Sequence, residues 1–407
     1  MARFRTSALL ALCALLLAPL TAFAQPPNVE VVVEHDLYAG GEIAAGLAQY
    51  LADVVAQGYN PILTTDFTST SAPADLRTHL ANRYATQGLA GAVFIGHLPV
   101  QNVDTVAAGG ISAETHPCDL FYTDLDGSWT SSGVHGFLPD THTDGAGDLG
   151  PEIWMGRLTT WNLAFLHPGR TEAGLLNTYF AKDHAYRTGA LTVPRTGLAY
   201  TDDDWSPTLR VSALEMAVEG AVTSVWNDPA TPGDETTAAN YMARLATESY
   251  EHVLLSAHSS ATSHTMNGSV ESDDLLALDP QVLFYNLFAC SAAKFTDFGY
   301  IAGEYVFGAG AGLVAVGTAK TGGMMSDTMD DYFAPLGLGS TFGDAMSNWW
   351  NMAVDPGGHT DIERAWYYGM TTIGDPLLMT QPYIPEPATL GLLAGGAAAL
   401  LCRRRRP

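Results

Sequence analysis

A histidine and a cysteine, each closing an apolar run, carry most of the chemistry this chain of 407 residues could perform. His252-Val-Leu-Leu-Ser-Ala-His258 ends on an imidazole, and Val282-Leu-Phe-Tyr-Asn-Leu-Phe-Ala-Cys290 ends on a thiol. A thiol attacks as its thiolate, and an adjacent imidazole can take the proton and return it to a leaving group. Backbone N–H groups of Ser259 and Cys290 would supply an oxyanion hole. A second imidazole, His264, competes for the role but lies off the strand end. Taken one at a time, a cysteine at a strand end is usually a small buried apolar residue, and such a histidine is often a satisfied polar one. Their placement on consecutive strands is what joins them into a dyad. Other common signatures are missing: no G-x-S-x-G, no H-E-x-x-H and no C-x-x-C. Gly308-Ala-Gly310-Ala-Gly312 precedes a strand rather than following one, so it reads as a turn and not as a phosphate cradle.

The elements that must position this dyad follow a strand–helix rhythm. Strands are expected at 29–33, 62–65, 92–96 and 152–155, with helices at 41–57, 74–86 and 171–187. The rhythm restarts near residue 190, with strands at 197–200, 222–226, 252–257, 282–288 and 313–317 and helices at 209–218 and 236–247. Apolar strands alternating with helices predict an α/β fold of two tandem parallel-sheet units, residues 25–190 and 191–383, with helices on both faces. Chemistry in open α/β sheets gathers at the carboxyl ends of strands, where His258 and Cys290 stand. The stretch from 100 to 151 breaks the rhythm and is polar, as a functional or flexible loop would be.

The charge balance narrows the partners. The chain holds 18 Lys+Arg against 43 Asp+Glu, for a formal net charge of −25. Six of those basic residues (Arg3, Arg5 and Arg403–Arg406) and one acid, Glu386, lie in the terminal segments, which leaves a body of about −30. Such a body repels phosphate backbones, and nucleic acid is excluded as a partner. Residues 1–24 read as a secretory signal: Arg3 and Arg5, the apolar run 8–20, then Ala22-Phe23-Ala24 before Gln25. Of the 4 cysteines, Cys13 leaves with the signal and Cys402 lies in the tail, so Cys118 and Cys290 remain in the body. Two cysteines make no disulfide framework.

At the other end, Ile384-Pro385-Glu386-Pro387 precedes a Gly/Ala/Leu run and four arginines. The apolar run is about 15 residues, short of the roughly 20 a bilayer needs. As a set, residues 384–407 resemble the PEP-CTERM sorting signal. The resemblance implies transient association with the inner membrane, removal by an exosortase-type machinery, and release to the cell surface or beyond.

The body resembles the gingipain-type cysteine peptidases. The matching pieces run in order: Ala92-Val-Phe-Ile-Gly96, Asp119-Leu-Phe-Tyr122, Pro151-Glu-Ile-Trp-Met-Gly156-Arg157-Leu158, His258, Cys290, 312–317 and Gly374-Asp375-Pro376. Ser259 and Ala293 stand where the family commonly has glycine. The resemblance implies a caspase-like fold and a cysteine endopeptidase acting on proteins or peptides, with no cofactor needed for the chemistry. His258 would be the base and acid, and Cys290 the nucleophile. It places Asp119 as a pocket-floor carboxylate favouring cleavage after basic residues, arginine above lysine. It also implies structural calcium held by Asp124, Asp126, Asp140, Asp144 and Asp148 in the long loop, which otherwise reads as a solvated acidic insertion. Arg157 is expected to tie the two units together. The alternative is a catalytically inactive caspase-like protein of the surface or extracellular matrix.

Overall fold

The computed structural model describes residues 25–133, 136–227, 235–353 and 358–380; the expected signal and sorting segments, 1–24 and 384–407, lie outside the described residues. Ten strands form one sheet: β1 (Asn28–Val33), β2 (Asn60–Thr64), β3 (Leu89–Ile95), β4 (Trp154–Leu158), β5 (Gly197–Thr201), β6 (Val222–Trp226), β7 (Ser249–Ser256), β8 (Gln281–Phe288), β9 (Val314–Thr318) and β10 (Met370–Gly374). Their order is β6-β5-β7-β8-β9-β10-β4-β3-β1-β2. Within each half the strands pair in parallel. The two tandem units therefore share a single sheet instead of folding as separate ones. The seam is β10, which runs antiparallel to β9 and meets β4 where Ile373 stands opposite Arg157. The Gly374-Asp375-Pro376 motif begins on the last residue of this strand, which the strand–helix rhythm of the sequence does not reveal.

Alternation along each strand explains why helices cover both faces. In β1, Val29, Val31 and Val33 join one core with Leu47, Tyr50 and Val54 of α1 (Ala44–Ala56). Val32, one step out of phase, joins Leu76 and Leu80 of α2 (Pro73–Gln87) on the other face. α3 (Glu172–Arg187) packs on α1. In the second half, a Cβ on Gly197 would meet Leu214 of α4 (Thr208–Ala217), while the Tyr200 ring meets Tyr241 of α5 (Ala238–Thr247). Those helices thus lie on opposite sides of β5.

Two polar devices hold the edge opposite His258 and Cys290. Asp375 accepts from Tyr50 OH and pairs with Arg187 of α3, which also bonds Asp183. Lys182 donates to the carbonyls of Val306, Gly308 and Gly310 at 2.8–3.0 Å, clamping the glycine turn that follows α6 (Ile301–Phe307). Among the described residues no helix is long and apolar enough to cross a membrane.

Candidate active site

β7 and β8 are parallel neighbours with Ser256 opposite Phe288. Both chains run two residues further in step, which sets His258 and Cys290 side by side at the carboxyl edge. The Ala257 N–H donates to Phe288 O at 3.2 Å and keeps the register past the strand ends. The chain then turns hard. Ser291 adopts φ +58, the left-handed region that costs a residue with a Cβ. Its N–H donates to Lys320 O at 2.7 Å, and the Ala293 N–H to Thr318 O at 3.0 Å, so β9 holds the turn in place. Cys290 is left part-exposed at the apex with a free thiol. Cys118, also free, is buried, and burial pushes its thiol far up.

His258 opens a small hairpin, paired to Thr265 while Ser259 faces His264. Its imidazole is exposed, and Nε2 lies 2.8 Å from Asp204 Oδ2. The Trp205 ring covers it at 4.8 Å. Among the described residues no hydrogen bond joins the imidazole to the Cys290 sulfur. His264 is fully buried against the Tyr305 ring, and burial lowers it to about 3, so it stays neutral and out of reach. Within the hairpin Ser260 N–H bonds Ser263 O, so by alternation the Ser259 N–H points away from the partner strand. It falls on the same side as the Ala257 N–H, toward the strand that leads to Cys290. The Cys290 N–H takes no part in the hydrogen bonds of its own turn.

Asp119 does not floor a substrate pocket. It is buried, and Arg157 grips it through Nε at 2.9 and 3.0 Å and Nη2 at 2.6 Å, while Thr371 Oγ1 donates to Oδ2 at 2.5 Å. Its carboxylate is already saturated by an internal guanidinium. Arg157 in turn lies over the rings of Phe94, Tyr122 and Phe295, so this pair joins β4 to the segment after Cys290.

The five loop aspartates do not converge either. Asp124 and Asp126 bring carboxylate oxygens within 4.8 Å of each other and of Glu152, a residue outside the expected set. Asp140 instead accepts from Ser132 and Thr141, Asp148 Oδ1 from the Gly150 N–H, and Asp144 is outside the group. Burial pushes Asp124 and Glu152 up to about 7.

The model of Peptidase family C25 matches residues 49–381. The chain belongs to peptidase family C25. The PEP-CTERM protein-sorting motif matches residues 384–406, so this C25 member is a cysteine peptidase with a C-terminal sorting signal. The solved complex of Porphyromonas gingivalis RgpB pro- and mature domains is similar in fold, with a TM-score of 0.60 at 14% identity over 86% of this chain and 79% of that one. Among curated proteins nothing matches.

The two departures from the family pattern are absorbed by this C25 member. Ser259 Oγ lies 2.8 Å from both the Ser260 and Ser263 carbonyl oxygens, its single proton serving one or shared between them, and 3.1 Å from His264 Nδ1, all inside the hairpin. The hydroxyl is thereby drawn off the cleft. Ala293 is buried, its methyl in a space left by Gly317. Sequence reading missed Asp204. Its signal was present as Asp202-Asp203-Asp204-Trp205, directly after β5.

Proposed function

We propose that this protein is an exported cysteine endopeptidase in which Cys290 is the nucleophile and His258 the general base and acid. The observation that carries the reading is the shared register of β7 and β8, which brings the two side chains to one accessible edge. The Cys290 proton passes to the imidazole as sulfur bonds to the peptide carbonyl carbon. Negative charge moves to the carbonyl oxygen, where the Ser259 and Cys290 N–H groups receive it. The C–N bond breaks as His258 gives its proton to the amine. Water then attacks the thioester, losing a proton to His258, and the acid product leaves as the thiol is restored. Thiol and imidazole close on each other when substrate is bound, a tightening common to catalytic hydrogen bonds.

The substrates are proteins or peptides, and the sorting motif hands the chain to an exosortase-type machinery at the inner membrane before surface release. The arginine preference expected from Asp119 falls with that residue. A hard cation, calcium by the resemblance, would sit at Asp124, Asp126 and Glu152 and stabilise the loop without entering the chemistry. Calcium is expected to raise the melting temperature by a few degrees, about 1–3 kcal/mol at saturating excess; an unchanged melt in chelator and in calcium removes that site. For the peptidase itself, iodoacetamide followed by peptide mapping is the test. Alkylation at Cys290, with parallel loss of hydrolysis, is expected. Hydrolysis that survives complete alkylation of Cys290 contradicts the assignment, and an inert Cys290 with no turnover points to the inactive matrix protein.

A further inference from the structure

Of the three arginines buried among the described residues, one lacks the partner that the others have. Arg157 is paired with Asp119, and Arg187 with Asp183 and Asp375. Arg210 of α4 is only 4% exposed, and no described carboxylate pairs with it. Its Nη1 donates to Ser206 O at 2.9 Å, its Nε is buried with no acceptor, and its Nη2 bonds no described residue. Nε and Nη2 form the edge by which Arg157 grips Asp119, two parallel N–H groups that fit a carboxylate. Burial lowers Arg210 to about 10, so it stays charged at neutral pH. A buried charge with an empty bonding edge is costly to the fold and points to a ligand.

The place of this arginine is the edge that holds His258 and Cys290. Gly197, His252 and Phe284 stand level across β5, β7 and β8, as do Thr201, Ser256 and Phe288. Leu214 of α4 packs where a Cβ on Gly197 would lie, so α4 covers the face to which these residues point. Continued two residues past the strands, the alternation gives that face His258 and Cys290 as well. The Arg210 guanidinium lies 4.7 Å over the Phe288 ring. Trp205 packs against both that ring and the His258 imidazole, and Trp366 stacks on Phe288 at 6.3 Å. Asp204, on the turn before α4, bonds His258 and leaves Arg210 open.

We propose that Arg210 sets the specificity of this site, receiving the side-chain carboxylate of an aspartate or glutamate that precedes the scissile bond. The inference rests on the peptidase reading above. The residue whose carbonyl carbon bonds to sulfur carries its side chain on the adjacent carbon, so that side chain enters nearest the end of β8. Trp205, Phe288 and Trp366 offer its methylene groups an apolar wall, and the empty guanidinium edge takes both carboxylate oxygens. An amide of the same shape puts an N–H against an N–H and leaves the cation uncompensated. The acidic body opposes such substrates at long range, an effect that salt screens, whereas the buried contact is screened far less.

The test is a panel of matched peptides that differ only at that position, with Glu against Gln, Asp against Asn, and Leu as the neutral reference. The exported wild-type protein is expected to favour each acid over its amide by about 10–100-fold in kcat/KM. Arg210→Gln is expected to bring both ratios close to one, and Arg210→Lys, which keeps a charge without the fork, to hold only part of them. Melting temperatures check that each variant is folded. The wild-type panel decides the matter even where a variant does not fold: hydrolysis of Gln, Asn or Leu peptides as fast as the acidic ones overturns the inference and leaves the peptidase reading in place. A folded Arg210→Gln protein that keeps the wild-type preference overturns it as well. No hydrolysis of any peptide, with Cys290 inert to iodoacetamide, overturns the peptidase reading and this inference with it.

Discussion

Two aspartate–histidine pairs in this molecule have the same chemistry and opposite surroundings. Asp204 and His258 meet at 2.8 Å on the carboxyl edge, both side chains more than half exposed. Asp124 and His142 meet at 2.5 Å in the interior of the first half. There Trp129 stacks on the imidazole at 3.8 Å, Tyr368 OH closes its other nitrogen at 2.7 Å, and the Gly127 N–H bonds the carboxylate. Burial lowers His142 to about 3, so it stays neutral and cannot carry a proton to anything outside. The exposed pair stands at the same edge as a thiol, whereas the buried pair is closed in by internal partners, Gly127 on its own loop and Tyr368 from the second half of the chain. An aspartate beside a histidine is therefore no sign of catalysis by itself; access and a neighbouring thiol are what set the proposed site apart.

The sharpest way to break this comparison is to delete each imidazole. His258→Ala is expected to lower hydrolysis by about a thousandfold or more while the melting temperature holds. His142→Ala should do the reverse, leaving Asp124 buried without its partner at a cost of about 3 kcal/mol while the folded fraction keeps its kcat. Denaturant melts beside single-substrate kinetics read both. If His142→Ala inactivated the enzyme with its stability intact, the division between the pairs would fail.

A smaller effect separates structural from substrate-facing acids elsewhere. Asp119→Ala strands the Arg157 guanidinium in the interior and is expected to cost about 3–5 kcal/mol in denaturant unfolding. Arginine and leucine peptides should differ by less than about tenfold in kcat/KM before and after the change, since no saturated carboxylate can grip a substrate cation. A wild-type preference for arginine above a hundredfold that vanished in the variant would return Asp119 to the cleft.

His264 extends the buried side into the hairpin that His258 opens. Its ordinary value of 6.5 is lowered to about 3 in the folded protein by burial. Below pH 6.5 the unfolded chain takes up a proton that the folded chain refuses. Stability is thus lost as pH falls from 6.5 toward 3, by up to about 1.4 kcal/mol per pH unit. His264→Phe, which keeps the ring against Tyr305, is expected to flatten the fall in melting temperature between pH 6 and 4 and to retain most activity. Superimposable pH curves would contradict the assignment of His264 as a buried neutral ring.

What could be read in the sequence were features carried by local pattern. The β7 and β8 runs are apolar, and they end two residues before His258 and Cys290, so the candidacy of these two side chains rests on local pattern alone. Asp204 could not be read this way. Its partner is 54 residues away, and only the order β5-β7-β8 brings the two together. The same blindness misassigned Asp119, whose guanidinium partner is 38 residues off across the sheet. It also left Glu152 out of the carboxylate group that Asp124 and Asp126 form. β10 escaped because Met370-Thr-Thr-Ile-Gly374 has little apolar pattern of its own; it becomes a strand by filling the seam between two half-sheets.

The most direct test of the central claim is hydrolysis of a peptide library by the exported protein beside its Cys290→Ala variant. The Cβ and backbone of the nucleophile turn remain in that variant, so folding is unaffected and only the sulfur is lost. Cleavage within the peptides by the wild type, and none above background by Cys290→Ala, is the expected result. Cleavage by the variant at the wild-type rate would contradict it.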